Sequence, residues 1–358
     1  MIQMQERWLC ALVAVFVMSC SANQSHINSS TNLTTTPGLN HTGLQEEIRW
    51  TYQAYAMDTI AGANLQPGCE PKSFAADPDV PYQGVVMMFH GFTSCPQQFE
   101  DLGRLTADEG FDVLIPLLPG QGRVPLDGPT GRKDDLRDLP TDPKPYEDFV
   151  TTMTNIVRPA KGLRIVTGLS MGGALALGAV EEDLDTPEAK VWDRALLMAP
   201  FLQIPGIQRH GQNIITKLRP TFVTGWGNEC KDRRTSEFPR AGICEFQVNQ
   251  VGAAAAYGYR AYELSGSIDT PIQVIGTEND GAADNEITFK TADGNSGIDL
   301  CFYKSEVPHP MIWRGDRPTQ DAYWVGPIEE GSLAYFKDGT PFPTDGVSSE
   351  YQMPRCSL

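Results

Sequence analysis

The run Gly168-Leu169-Ser170-Met171-Gly172-Gly173, with what stands on either side of it, constrains this chain more than any other feature. Before it, Leu163 to Val166 is a short apolar segment of the kind that forms a buried strand. After it, an apolar stretch beginning near Met171 reads as a helix. A strand that passes into a helix so abruptly must turn tightly, with its middle residue in a strained conformation. Glycines on both sides allow neighbouring backbone to approach. The pattern G-x-S-x-G alone occurs often by chance. Between a strand and a helix it lifts the Ser170 hydroxyl out at the carboxyl end of a sheet, where the Met171 N–H can stabilise a developing oxyanion.

The remaining segments fit an α/β fold around that turn. Val85 to Phe89 is a continuous apolar run, suited to a strand covered on both faces. Pro96 can open a helix, Phe99, Leu102 and Leu105 recur at helical spacing, and Gly110 can end it. Phe111 to Leu117 reads as a second strand, stopped by Pro119-Gly120-Gln121-Gly122, and residues 145–159 as a helix. Arg194–Met198, Ile272–Ile275 and Leu300–Tyr303 supply three more strands. Strands alternating with helices imply a mostly parallel sheet flanked by helices. Trp50 to Met57 is expected to add an antiparallel edge. With 41% hydrophobic residues the chain can bury a sizeable core, expected as one domain over residues 46–358. The stretch from Pro200 to Pro271 is too long for a simple crossover. It has its own helical segment, Val251 to Leu264, and the aromatics Phe201, Phe222, Trp226, Phe238, Phe246, Tyr257 and Tyr259. It reads as a helical cap insertion over about residues 201–268, with most of these aromatics as its own core.

A second oxyanion donor is expected in the loop after an earlier strand. His90-Gly91-Phe92-Thr93 follows Phe89 and offers the Phe92 N–H, with His90 holding the loop rather than acting as a base. With His90-Gly91-Phe92-Thr93, Leu118-Pro119-Gly120-Gln121-Gly122 and the Ser170 turn, the chain resembles an α/β-hydrolase of the carboxylesterase and monoacylglycerol lipase group, over about Val85 to Phe336. Gln121 departs from the family, which commonly has His there. The resemblance implies a serine hydrolase with chain order Ser, acid, His. The family's acid loop is best matched by Asp280, followed by Gly281-Ala282-Ala283; Asp284 and Glu278 remain alternatives. Of the five histidines, only His309 follows Asp280, in Val307-Pro308-His309-Pro310 just past a strand. Ser170, Asp280 and His309 thus form the expected triad, with Phe92 and Met171 as oxyanion donors.

The expected reaction is acyl transfer from a small-molecule or lipid ester through an acyl-enzyme, with neither cofactor nor metal. No C-x-x-C or H-x-x-x-H spacing suggests a metal site. A serine peptidase or acyltransferase on the same fold is the alternative, and a non-catalytic surface binding protein a further one. A haloalkane-type hydrolase is excluded, because position 170 is Ser rather than a carboxylate.

The start of the chain bears on compartment. Trp8 to Met18 is apolar but shorter than the roughly 20 residues that span a bilayer, and fits the apolar core of a secretory signal. Val17-Met18-Ser19-Cys20 resembles a bacterial lipoprotein processing box, so residues 1–19 are expected to be a signal and Cys20 a lipidation site. The protein is then exported, either secreted or held at the cell envelope by its lipid. Residues 20–45, rich in Ser, Thr and Asn, read as a tether. Its N-x-S/T triplets at Asn23, Asn28, Asn32 and Asn40 are read as a product of that composition. Net charge is −17, from 28 basic and 45 acidic residues, which disfavours a nucleic-acid partner. Of eight cysteines, Cys10 lies in the signal and Cys20 at the lipid site. The other six suggest three disulfides: Cys230–Cys244 within the cap, stabilising by about 3 kcal/mol in the chain-entropy model, Cys69–Cys95, and Cys301–Cys356.

Overall fold

The order of strands shows where a ligand can bind. Strands β1 (Lys72–Phe74), β2 (Gly84–Phe89), β3 (Phe111–Ile115), β4 (Leu163–Leu169), β5 (Arg194–Met198), β8 (Ile272–Thr277), β9 (Ile298–Tyr303), β10 (Thr344–Val347) and β11 (Pro354–Cys356) form one sheet in the order β1-β3-β2-β4-β5-β8-β9-β11-β10. All neighbours from β3 to β11 are parallel; β1 and β10 pair antiparallel at the edges. After β3 the chain crosses back over β2 to β4, so the order reverses between β2 and β4. The carboxyl ends at such a reversal splay apart and leave a crevice.

This is a computed structural model, and it describes residues 41–61, 63–124, 138–182, 190–206, 223–225, 241–293, 295–312, 322–349 and 351–358. They fall in the unit His41–Leu358. Residues 1–40, with the expected signal, Cys20 and most of the tether, lie outside the described residues.

The continuous apolar runs are explained by two buried faces. Val85, Met87 and Phe89 point into one core and Val86 and Met88 into the other. The first core is covered by α1 (His41–Ile60), α3 (Lys144–Val157), α4 (Met171–Glu182) and α5 (Val248–Leu264); the second by α2 (Glu100–Asp108) and α7 (Val325–Asp338). Each fully buried Val, Leu, Ile or Phe contributes about 1.5–3 kcal/mol. Gln247 and Gln250 make a reciprocal cap at the start of α5, and Asp284 caps α6 (Asn285–Ala292) by accepting from the N–H groups of Glu286 and Ile287.

Two expectations need correction. Trp50–Met57 is not an edge strand: it lies inside α1, and the antiparallel edges are β1 and β10. Trp50, Tyr52 and Ala54 alternate with the polar Thr51 and Gln53. The residues that bury are Ile48 and Tyr52, with Tyr55 packed against them, at helical spacing, while Trp50 is exposed. The Arg49 guanidinium also reaches Asp112 in β3 at 2.9 Å. Second, helix α1 begins at His41, inside the stretch read as tether. After Phe336 the chain adds β10 and β11 to the sheet.

Within the insertion, β6 (Val223–Gly225) pairs with β7 (Glu245–Gln247), which leads into α5. Helix α5 lies close on α4: a Cβ at Gly178 would sit 2.1 Å from the Tyr257 hydroxyl. Phe201, Phe246 and Tyr257 are buried. Phe222, Trp226 and Phe238 lie outside the described residues.

Candidate active site

Four adjacent strands run in register toward the crevice side. Leu169 of β4 pairs with Met198 of β5, Met198 with Ile275 of β8, and Ile275 with Cys301 of β9. Ser170, Asp280 and His309 follow these ends, so the sheet delivers them to one rim although they are far apart in sequence.

Ser170 sits at φ 59°, a left-handed conformation that costs a non-glycine residue of order 1–3 kcal/mol. Close packing enforces it. A Cβ at Gly168 would lie 2.1 Å from the Gly172 carbonyl oxygen, and one at Gly172 would lie 1.9 Å from that of Phe89. Neither position accepts a side chain, which is why the serine is bracketed by glycine. The Ser170 N–H donates to the Met198 carbonyl, and its own carbonyl accepts from Ala174 and Phe201. Its backbone is thereby bound to β5 and α4. Met171 opens α4, where first-turn N–H groups have no intrahelical acceptor.

Asp280 lies in the loop after β8 with its side chain fully buried. Its Oδ1 accepts from the N–H groups of Ala282 (2.7 Å) and Ala283 (3.1 Å), and its Oδ2 is 2.7 Å from His309 Nδ1. Burial alone would raise its pKa. The His309 imidazole and the two backbone donors outweigh it, so the carboxyl is held below the ordinary aspartate value. The two alternative acids have other work. Asp284 caps α6 and accepts from Gln203 Nε2 at 3.0 Å, while Glu278 accepts from the Ser349 N–H. Thr277, at the end of β8, ties the acid loop to the histidine loop: its hydroxyl lies 2.6 Å from the Val307 carbonyl, two residues before His309.

His90 stands apart from this pair. It is fully buried; its Nε2 accepts from the Leu118 N–H at 3.0 Å, and its Nδ1 lies 2.9 Å from the Gly91 carbonyl. Nε2 is therefore the unprotonated nitrogen, and the ring bridges the loops after β2 and β3. Burial, partly opposed by the Gly91 carbonyl, pushes its pKa down to about 4. Phe92 in this loop packs edge-on against Phe246 of the cap at 5.2 Å, and the Ile243 N–H donates to the Thr93 carbonyl. The insertion thus rests directly on the loop beside Ser170.

Cys69 and Cys95 form a disulfide, as do Cys301 and Cys356. Cys244 is disulfide-bonded; Cys230 lies outside the described residues. Sequence reasoning missed Thr277, Gln98 and the role of Gln121, which it marked only as a departure from the family's usual His; both glutamine amides bind this region's backbone. Pattern does not reveal them, because a polar side chain that serves backbone has no fixed spacing to the residues it serves.

A parallel sheet with helices on both faces, an insertion after β5 and a strained serine at the β4–α4 turn define an α/β-hydrolase. Residues 81–296 match the family described as "Serine aminopeptidase, S33", and the chain belongs to it. No curated protein sequence matches. Among solved structures, the chain is similar to a monoacylglycerol lipase from Paleococcus ferrophilus, at 12% identity and TM-score 0.56, covering 75% of this chain and 98% of that one. A soluble variant of the Saccharomyces cerevisiae monoglyceride lipase, solved with a substrate analog, is similar at 15% identity and TM-score 0.56, covering 75% and 91%. A structure from the metagenome-derived lipolytic enzymes LipS and LipT is similar at 17% identity and TM-score 0.54, covering 76% and 99%. At these identities the likeness is one of fold.

Proposed function

We propose that this protein is a serine hydrolase of carboxylic acyl esters, working through Ser170, His309 and Asp280 with a covalent acyl-enzyme. The observation that carries the reading is the 2.7 Å contact between Asp280 Oδ2 and His309 Nδ1, at a strand end that shares a rim with the strained Ser170 turn. A carboxylate accepting from Nδ1–H leaves Nε2 as the basic nitrogen. His309 Nε2 takes the Ser170 proton as Oγ attacks the ester carbonyl. The Phe92 and Met171 N–H groups bind the tetrahedral oxyanion. The protonated Nε2 then delivers its proton to the leaving alkoxide. A water, deprotonated by the same nitrogen, attacks the acyl-enzyme and releases the acid. The monoacylglycerol and lipolytic activities in the names of the structural neighbours agree with an ester substrate.

The test is hydrolysis of p-nitrophenyl esters from acetate to palmitate, with Ser170→Ala as control. Turnover that survives in Ser170→Ala overturns the mechanism; the chain-length profile separates an esterase from a lipase. The family description favours a second reading, an aminopeptidase running the same chemistry on an amide. Aminoacyl p-nitroanilides assayed in parallel discriminate, since the ester reading expects them to be turned over far more slowly than the esters.

Export is the reading that fits the apolar segment before Cys20 and the six later cysteines. Lipid attachment at Cys20 then places the hydrolase beside a membrane. Mass spectrometry of the mature N-terminus tests it: an acylated Cys20 is expected, and an intact Met1 overturns it.

A further inference from the structure

Three backbone donors around Phe92, in the loop after β2, each have a defined acceptor. The Gly91 N–H donates to Gln98 Oε1 at 2.8 Å, the Thr93 N–H to Gln121 Oε1 at 3.0 Å, and the Ser94 N–H to the Gly91 carbonyl at 3.0 Å. The Phe92 N–H between them has no hydrogen-bond partner among the described residues. Both glutamines are buried, 7% and 0% exposed, and they reach the loop from different elements. Gln98 comes from the turn of helix Pro96–Phe99, and Gln121 from the loop after β3. Gln121 Nε2 makes no hydrogen bond among the described residues, so the amide's bond is to Thr93 alone.

The loop needs such holding. Thr93 stands at φ 64°, a strained conformation that persists only where its surroundings impose it. The frame behind it is covalent. Cys95, two residues on, is bonded to Cys69, and Gly122 lies so close to this disulfide that a Cβ would come within 2.5 Å of Cys69 Cβ. The front of the loop lies against the nucleophile, since a Cβ on Gly91 would be 3.4 Å from Ser170 Cβ. The choice of residue also has a reason. A carboxamide oxygen accepts an N–H without setting a negative charge beside a forming oxyanion, as a carboxylate would.

We propose that Gln98 and Gln121 are positioning residues: they bind the amides on either side of Phe92 and so reserve its N–H for the oxyanion. This rests on the reading of Ser170 and Phe92 given above. The side chains touch no reacting atom; they act through the loop.

The test replaces each glutamine by methionine, which keeps the volume and removes the acceptor. In Gln121→Met and in Gln98→Met, kcat for a p-nitrophenyl ester is expected to fall about 10- to 100-fold, the scale of a misplaced donor. KM stays within about threefold. The inhibition constant of an alkyl trifluoromethyl ketone, which forms a hemiketal oxyanion on Ser170, rises in proportion to the loss of kcat/KM. A side chain that served only stability would not move that constant in a folded enzyme, and thermal melts establish folding. Should Gln121→Met fail to fold, Gln98→Met gives the same readout. Methionine variants that keep the parental kcat or the parental inhibition constant, while Ser170→Ala is inert, overturn the positioning role alone. Turnover in Ser170→Ala overturns the hydrolase reading instead.

Discussion

Asp280→Asn is the substitution whose consequence the geometry specifies most fully. Two backbone donors, Ala282 and Ala283, converge on Oδ1, and His309 Nδ1 faces Oδ2. An asparagine must keep its carbonyl oxygen on the two backbone donors, so its NH₂ group turns toward Nδ1. Two donors cannot face each other, and the imidazole moves its proton to Nε2. The nitrogen that should accept the Ser170 proton is then blocked, and the anion that stabilises the imidazolium is gone. The expected loss is about 10⁴-fold in kcat, roughly 5.5 kcal/mol on the barrier, with little change in KM. The assay is steady-state hydrolysis of a p-nitrophenyl ester at neutral pH, with a thermal melt to show that the variant is folded. Asp284→Asn keeps a good helix cap and Glu278→Gln touches only an exposed contact, so both should stay within a fewfold of the parent. Asp280→Asn within tenfold of the parent, or a large loss in either control, refutes the assignment.

Buried ionisable groups elsewhere give pH predictions with definite sign. Burial, slightly opposed by Arg260, raises the Glu181 pKa from 4.5 to about 9; its stability contribution is full below about 4.5 and is lost as pH rises toward 9. Glu181→Gln should therefore stabilise the protein at pH 7 by about 3 kcal/mol in urea melts, and equal stability of parent and variant would contradict this. His90 has the opposite sense. Its pKa of about 4 lies below the ordinary 6.5, so stability is lost as pH falls through that window, by up to about 3 kcal/mol. His90→Gln should flatten the curve between pH 6.5 and 4, and an unchanged slope would contradict it. Cys301 and Cys356 close a separation of 55 residues. Replacing both by Ser should cost about 4 kcal/mol in the chain-entropy model and lower the melting temperature, while an unchanged melt would show that the bond is dispensable.

The inner strands and the serine turn were legible because each carries a local signature. A strand buried on both faces reads as an unbroken apolar run, as in Val85–Phe89, and a strained strand-to-helix turn demands glycine at 168 and 172. Asp280 and His309 were named through the resemblance, which supplies the acid loop and the order Ser, acid, His; adjacent strand ends then bring their following loops together. What depended on partners far away was not. Helix α1 was hidden because an apolar alternation competes with helical spacing, and only the sheet, with Asp112 to receive Arg49, decides between them. Strands β10 and β11 are short, and exist because β9 offers an edge and Cys301 a bond. Gln98 was silent, and Gln121 visible only as a departure from the family's His, because a side chain that binds a loop amide leaves no periodic trace.

The central claim is that Ser170 carries the acyl group. Mass spectrometry of enzyme quenched during turnover of a p-nitrophenyl ester, followed by peptide mapping, tests it directly. The expected result is one added acyl mass on the peptide containing Ser170, absent from Ser170→Ala, together with an initial burst of p-nitrophenol. Undiminished turnover in Ser170→Ala, or the acyl mass on any other residue, would contradict it.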